Sequence, residues 1–297
     1  MKIAIIGAGF AGLAAAYYLS ENFQVTLFDL KGIGGGASGI SSGLLHPYPG
    51  EKGRRSWHAD EALLAARELL TVAQEHLGKP VAHYEGILKV GECLDPGEDV
   101  EPLSPGTFLI KSGITVFPEL YLEGLWQACQ KRGVELVLQK IESLQELADF
   151  DQVILAVGAG IRNFPECRHL KINFVKGQVL TCALEKPLER SISSKRYRAI
   201  TPSANICHLG ATYERDFTDE SPNKETAIAL LQPEMEVLDC RAGIRVTNPA
   251  HYFPILEQID PKTWAITALG SRGLLYHAYL GKKISENFYF RPNCIKS

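Results

Sequence analysis

Met1 to Asp29, MKIAIIGAGFAGLAAAYYLSENFQVTLFD, decides how the rest of the chain is read. Lys2 to Ile6 is a short, mostly apolar run that stops at glycine, the pattern of a buried strand. Gly7, Gly9 and Gly12 follow at once as a G-x-G-x-x-G. A helix then opens on Ala14, Ala15, Ala16 and Leu19, and a second strand, Val25 to Phe28, ends at Asp29. Each residue type has a physical task. Gly7 permits the tight turn out of the strand, Gly9 lets backbone approach a pyrophosphate, and Gly12 lets the helix lie close on the strand. The helix N-terminus offers unpaired N–H groups and partial positive charge to phosphates. Asp29 stands 17 residues after Gly12, where a carboxylate accepts from ribose hydroxyls. Strand, glycines, helix and acid in register specify a dinucleotide, though not which one.

The remaining composition narrows the class. At 297 residues the chain can form one large or two intertwined domains. It is 45% hydrophobic and 22% charged, ordinary for a globular protein, and its net charge of −3 gives no global basic character. Two local basic runs, Lys52-Gly53-Arg54-Arg55 and Lys195-Arg196-Tyr197-Arg198, read as solvated loop charges. The seven cysteines, at 93, 129, 167, 182, 207, 240 and 294, are scattered, and none forms a C-x-x-C. That pattern opposes a disulfide framework or zinc site and fits a reducing compartment. No signal-peptide pattern precedes the first strand, and no apolar run reaches membrane-spanning length, so a cytoplasmic location and no membrane contact are expected.

Downstream of Asp29 and Leu30, residues 31–43 form a glycine- and serine-rich loop whose position beside the ribose acid suits a cofactor-lining backbone. Asp60 to Leu77 is an amphipathic pattern with Asp60 as N-cap and Leu63, Leu64, Ala66, Leu70, Ala73 and Leu77 on its apolar face. Tyr84–Val90 and Thr107–Val116 read as strands, with a loop over 95–106. A helix is expected from Phe117 to about Arg132 with Gly133 as its C-cap, then a strand at Val134–Leu138. Gln152–Val157 is an apolar strand running into Gly158-Ala159-Gly160, a second place where backbone can approach a ligand closely. From Ile172 onward short strands, including Phe174–Thr181 and Ile206–Thr212, predict an antiparallel sheet inserted into the α/β unit. Asn223–Cys240 has a helical pattern that Pro233 must break. Arg241–Val246 and Thr263–Leu269 read as strands, and Gly270-Ser271-Arg272-Gly273-Leu274 forms a third strand–glycine–helix junction running to about Ile284.

Three junctions, Gly7–Gly12, Ala156–Gly160 and Gly270–Leu274, together with the GGGASGISSG loop, resemble the FAD-dependent amine oxidoreductases of the D-amino-acid-oxidase superfamily, which includes glycine oxidase and sarcosine oxidase. Further matching pieces are Phe174-Val175-Lys176-Gly177-Gln178, Ala242-Gly243-Ile244-Arg245-Val246-Thr247 and Phe253-Pro254-Ile255. Within that superfamily, Gly36–Gly39, Gly43-Leu44-Leu45-His46-Pro47, Gly210-Ala211-Thr212-Tyr213 and Gly270–Leu274 look most like the C-terminal oxidase half of the bifunctional tRNA 5-methylaminomethyl-2-thiouridine modification enzyme. That half removes a carboxymethyl group from a carboxymethylaminomethyl-uridine in tRNA.

The resemblance implies an α/β fold: a Rossmann-like FAD-binding domain of the glutathione-reductase type (1–80, 113–165 and 241–297) with an inserted α+β antiparallel-sheet substrate domain (81–112 and 166–240). It implies non-covalent FAD held by Gly7, Ala8, Gly9, Phe10, Ala11 and Gly12 at the first turn, and by Asp29 and Leu30 after it. Further FAD contacts are implied at Ala37, Ser38, Ser41, Ser42, Gly43 and Leu44 of the loop, at Ala156, Val157 and Gly158, and at Gly270, Ser271, Arg272, Gly273 and Leu274. It implies oxidation of a C–N bond beside a carboxylate: a hydride leaves the carbon and water hydrolyses the imine. Arg245, in the family's G-h-R position, is expected to grip the carboxylate through two parallel bonds. Arg272 is expected to add to substrate binding or to supply positive charge near the flavin ring. Tyr213 and Tyr252 are candidate pocket walls, His46 can face the flavin, and His251 and His277 have no assigned place. No His, Cys or acid cluster has metal-ligand spacing, so no metal is expected.

The implied partner is a small amine or amino acid, or a tRNA; the oligomeric state is open. Two readings from other classes stay open: a nicotinamide-dependent dehydrogenase, which has no use for the Gly34–Gly43 loop or the Gly270 junction, and a catalytically inactive FAD-binding protein, which absence of turnover with any amine would favour.

Overall fold

A computed structural model describes residues 1–251 and 253–289. The opening motif forms as expected. Strand Lys2–Ile6 lies at the centre of a six-stranded sheet, between Gln24–Asp29 and Gln152–Leu155. Across the sheet the order is Ile255–Gln258, Thr263–Thr267, Gln152–Leu155, Lys2–Ile6, Gln24–Asp29, Glu135–Leu138. All pairs are parallel except the edge pair Ile255–Gln258 with Thr263–Thr267. Such a sheet is covered on its faces, which is why Ile3, Ala4, Ile5, Val25 and Leu27 are all buried.

Five helices are present among the described residues: α1 (Phe10–Leu19), α2 (Ala59–Leu77), α3 (Pro118–Lys131), α4 (Lys224–Leu231) and α5 (Gly273–Tyr289). α1, α2, α3 and α5 cover one face of the sheet in a single core. Small residues set their spacing. A Cβ on Gly281 of α5 would stand 2.8 Å from the Ala14 carbonyl carbon of α1, and one on Gly124 of α3 would collide with the Ala73 carbonyl of α2.

The second sheet has eight strands, in the order Val237–Thr247, Asn173–Ala183, Ile206–Gly210, Tyr197–Ile200, Ser191–Ser193, Ile87–Val90, Thr107–Ile110, Val100–Ser104. It is antiparallel except where Ser191–Ser193 meets Ile87–Val90. A small sheet of Leu44-Leu45, Ile114–Val116 and Ala82-His83 joins the two. The α/β architecture with an antiparallel sheet is therefore the one expected.

Several local expectations are corrected. Asp60 does not cap α2: His58, in the left-handed region at φ 45°, holds that place, its ring stacked on Tyr279, while Asp60 pairs with Arg55. Leu64 points to solvent, and alanines 59, 62, 65 and 66 carry much of the buried face, because close helix packing favours small side chains. The span Thr107–Val116 breaks at Lys111–Gly113 into two strands of different sheets, and Val100–Ser104 is a strand, not loop. α4 ends at Leu231, ahead of Pro233, and Val237–Cys240 is extended because it pairs with Leu180–Cys182. Residues 241–247, expected with the dinucleotide unit, thus run in the antiparallel sheet.

Candidate active site

The first turn is built by backbone contacts. A Cβ on Gly7 would collide with the Ala156 carbonyl, and one on Gly12 with the Gly7 carbonyl, so both glycines are required for α1 to seat on the sheet. Asp29 is fixed at its strand end: Ala8 N donates to Oδ2 at 2.8 Å, and Lys31 N and Gly32 N donate to Oδ1 at 2.7 and 2.9 Å. The carboxylate is thereby locked beside the glycine turn. Phe10 N donates to Ser38 Oγ at 3.0 Å, which ties the glycine-rich loop to the start of α1. Gly9 caps α1 without a side chain, and no acid occupies the first turn, so the positive end of the helix is not neutralised by a carboxylate of its own.

From this turn a cavity of about 310 Å³ runs between the two sheets. It brings together Gly9, Phe10 and Ala11 of the turn, Ala37, Ser38, Ser41, Ser42 and Leu44 of the loop, Ala156 and Gly158 of the second junction, and Gly270 to Leu274 of the third. Arg245 and Arg272 line it as well. The remaining candidates stand behind these walls. Gly7, Ala8 and Gly12 pack the turn, Val157 joins the core under the sheet, and Gly43 backs onto Val116. Leu30 is exposed, and Asp29 lies behind Ala8, outside the lining.

Arg245 rests on a glycine pair. Gly177 and Gly243 face each other across the two longest strands. A Cβ on Gly177 would stand 2.8 Å from the Arg245 guanidinium carbon, and one on Gly243 would stand 3.1 Å from Ala37 Cα. The first glycine therefore gives the guanidinium its place and the second admits the cofactor-side loop. Arg245 Nη2 donates to Thr212 O at 2.6 Å, while its buried Nε has no partner in the protein. No carboxylate lies within ion-pairing distance of it among the described residues. Burial pulls its pKa down, opposed by Tyr197, Tyr213 and Glu214. A half-buried guanidinium whose Nε is cut off from water gains from an anion that completes its hydrogen bonds.

Around it the aromatic residues differ from expectation. Tyr213 lies outside the cavity lining, its ring 5.3 Å from the Arg245 guanidinium carbon on the far side. Tyr252 lies outside the described residues. Tyr197, which no motif marked, lines the cavity; burial raises its pKa, while a hydrogen bond with Ser42 and the charge of Arg245 act the other way. His46 does face the cavity, buried and neutral: Tyr48 N donates to its Nδ1 at 3.2 Å, and burial, aided by Lys89, drives its pKa down to about 3. His251 is exposed beside Phe253. His277 is buried behind Phe10, within 2.5 Å of the Tyr121 hydroxyl through Nε2, and burial lowers its pKa to about 4. The six cysteines among the described residues are free. Within that range no His, Cys, Asp or Glu group is arranged to hold a metal, and no helix is long and apolar enough to cross a membrane.

The fold and cavity define a dinucleotide-cofactor protein with a second, antiparallel sheet closing over the cofactor groove. The DAO model, FAD dependent oxidoreductase, matches residues 2–287, and the chain belongs to that family. It is an enzyme of the FAD-dependent oxidoreductase class, and its cofactor is FAD. Among solved structures it is similar to glycine oxidase from Geobacillus kaustophilus (TM-score 0.79, 18% identity, covering 99% of this chain and 96% of that one). It is also similar to iminodiacetate oxidase from Chelativorans sp. BNC1 (TM-score 0.76, 19%, 99% and 97%) and L-proline dehydrogenase from P. horikoshii (0.76, 15%, 97% and 92%). No curated protein sequence matches the chain.

Proposed function

We propose that the enzyme oxidises the C–N bond of an amine that carries a neighbouring carboxylate, with Arg245 as the carboxylate grip. The observation that carries this reading is the half-buried Arg245 guanidinium, facing the cavity with a buried, unpartnered Nε and, among the described residues, no carboxylate within ion-pairing distance. A planar fork in that state selects a bidentate anion. The residues suit FAD: three glycine junctions open on one cavity, and α1 begins there without a side-chain cap. Turn residues Gly9–Ala11 would hold the pyrophosphate, Asp29 the ribose, and Ala156, Gly158 and Gly270–Leu274 the groove beyond. Non-covalent attachment of the flavin is part of this reading.

Bound FAD supplies the two-electron acceptor for the hydride. The chain supplies position and field. Arg245 holds the carboxylate while its bond to Thr212 O fixes the guanidinium plane. Arg245 and Arg272 line the cavity and, among the described residues, no Asp or Glu does. That positive field disfavours an ammonium, so the substrate amine is kept neutral and its lone pair free. His46, neutral at physiological pH, adds no competing charge.

Two substrates fit this chemistry. The residue matches at Gly36–Gly39, Gly43–Pro47, Gly210–Tyr213 and Gly270–Leu274 support the carboxymethylaminomethyl group of a tRNA uridine. The likeness to glycine oxidase supports a free small amino acid such as glycine, sarcosine or a D-amino acid. The test is anaerobic bleaching of the flavin absorbance by each in turn; failure of all of them overturns the proposal.

A further inference from the structure

The face of the antiparallel sheet that carries the cavity does not end at Arg245. The register places Val179 opposite Arg241, Gly177 opposite Gly243, Val175 opposite Arg245 and Asn173 opposite Thr247 on successive rows of one face. Val179, Gly177, Gly243 and Arg245 line the cavity, whereas Val175, Asn173 and Thr247 line a separate cleft of about 560 Å³. Tyr213 stands at the boundary, with the Arg245 guanidinium 5.3 Å from its ring centroid and the Arg215 guanidinium 5.5 Å from it. Phe174 and Phe217 add two rings to the cleft, and the Arg162 guanidinium lies 5.1 Å from the Phe174 centroid.

The charges are unequal. Arg162 is paired with Glu220, whereas Arg215 has no carboxylate within 4 Å among the described residues and is exposed. Among the described residues no Asp or Glu lines the cleft itself, although Glu214 and Asp216 flank Arg215 in the chain. Tyr213 is 52% exposed, so its ring is accessible to a ligand in the cleft. Rings and guanidinium planes with one free positive charge take a flat, π-rich group joined to an anion, and nucleotides combine both. Asn173, on the same wall, carries an amide that can both donate to and accept from a base edge.

We infer that this cleft is a nucleotide-binding subsite for single-stranded RNA, seating a base against Tyr213 and Phe217 and a phosphate on Arg215. It rests on the tRNA reading above and deepens it: Tyr213, the ring proposed to stack the base, has the Arg245 guanidinium 5.3 Å from its centroid.

The test is fluorescence anisotropy of a fluorescein-labelled, uridine-centred RNA heptamer titrated with the flavin-loaded enzyme at low salt. A matched titration uses Arg215→Gln and Phe217→Ala, with the flavin spectrum checking that each variant is folded. Loss of one phosphate contact or one stacking ring is expected to weaken binding roughly tenfold for each variant. An acidic peptide of equal charge should fail to displace the RNA. Wild-type enzyme that does not bind the heptamer, variants that bind as wild type, or equal displacement by the peptide would each overturn the inference. None of these readouts depends on amine turnover. RNA binding lost while amines still bleach the flavin therefore removes this inference alone, and RNA binding kept without bleaching removes the proposed reaction alone.

Discussion

The two ends of the cavity are made differently. At the Gly7–Gly12 end, contacts are backbone to backbone: Gly7 against Ala156, Gly12 against Gly7, and Asp29 bound by three N–H groups within a short stretch of chain. At the Arg245 end the polar groups are the side chains of Arg245 and Tyr197 and the Thr212 carbonyl, set around the bare backbone of Gly177 and brought together from strands distant in the chain. The first end is a geometry that tolerates no Cβ. The second is a charge that tolerates no missing partner. A cofactor common to many reactions suits the rigid end, and substrate choice suits the end made of exchangeable side chains.

The contrast can be broken most forcefully at Arg245. Arg245→Ala is expected to raise KM and lower kcat/KM by on the order of a hundredfold or more, the equivalent of ~3 kcal/mol, by removing the charged partner of the carboxylate. Flavin content and visible spectrum should stay as in wild type; steady-state kinetics with a carboxylate-bearing amine check both halves.

At the other end the expected pattern inverts. Gly12→Ala drives a Cβ into the Gly7 carbonyl. Overpacking of this kind costs ~1–3 kcal/mol, and the variant should purify with less bound FAD and a lower Tm. Equal flavin occupancy and an unchanged Tm would contradict the backbone account of this turn.

Buried histidines sharpen the comparison through pH. His46 and His277 have folded-state pKa values of about 3 and about 4, below the ordinary 6.5. Between those limits the unfolded chain binds protons that the folded chain does not. Their share of stability is therefore full above about pH 6.5 and is lost as pH falls toward 4, at up to ~1.4 kcal/mol per pH unit for each group. Urea midpoints at pH 7.5 and 5 should show this fall; a flat profile would place solvent or a carboxylate beside these rings.

The smallest effect is expected at Tyr197. Tyr197→Phe removes a hydroxyl bonded to Ser42, worth ~1 kcal/mol, about a fivefold change in kcat/KM. A loss as large as that of Arg245→Ala would make Tyr197 the principal grip.

Legibility in the amino-acid sequence follows the same division. The glycine turn, the Gly34–Gly43 loop and the Gly270 junction were readable because each is local and its residue types are dictated by backbone approach. Arg245 was readable from its place two residues after Gly243. Tyr197 was not: it enters through the pairing of Tyr197–Ile200 with Ile206–Gly210, which nothing in its basic neighbourhood announces. Gly177 stood within a matching stretch, yet its task of clearing room for a guanidinium exists only across strands. The strand Val237–Thr247 was divided wrongly because its first half continues the helical spacing before Pro233, and tertiary pairing overrode that local preference.

The central claim, carboxylate-directed amine oxidation by FAD, is tested most directly by anaerobic titration of the purified enzyme while its visible absorbance is followed. Matched amines with and without a neighbouring carboxylate should be compared. The expected result is a yellow protein bleached by the carboxylate-bearing amine and unaffected by its partner. A colourless protein that cannot take up FAD, or equal bleaching by both amines, would contradict it.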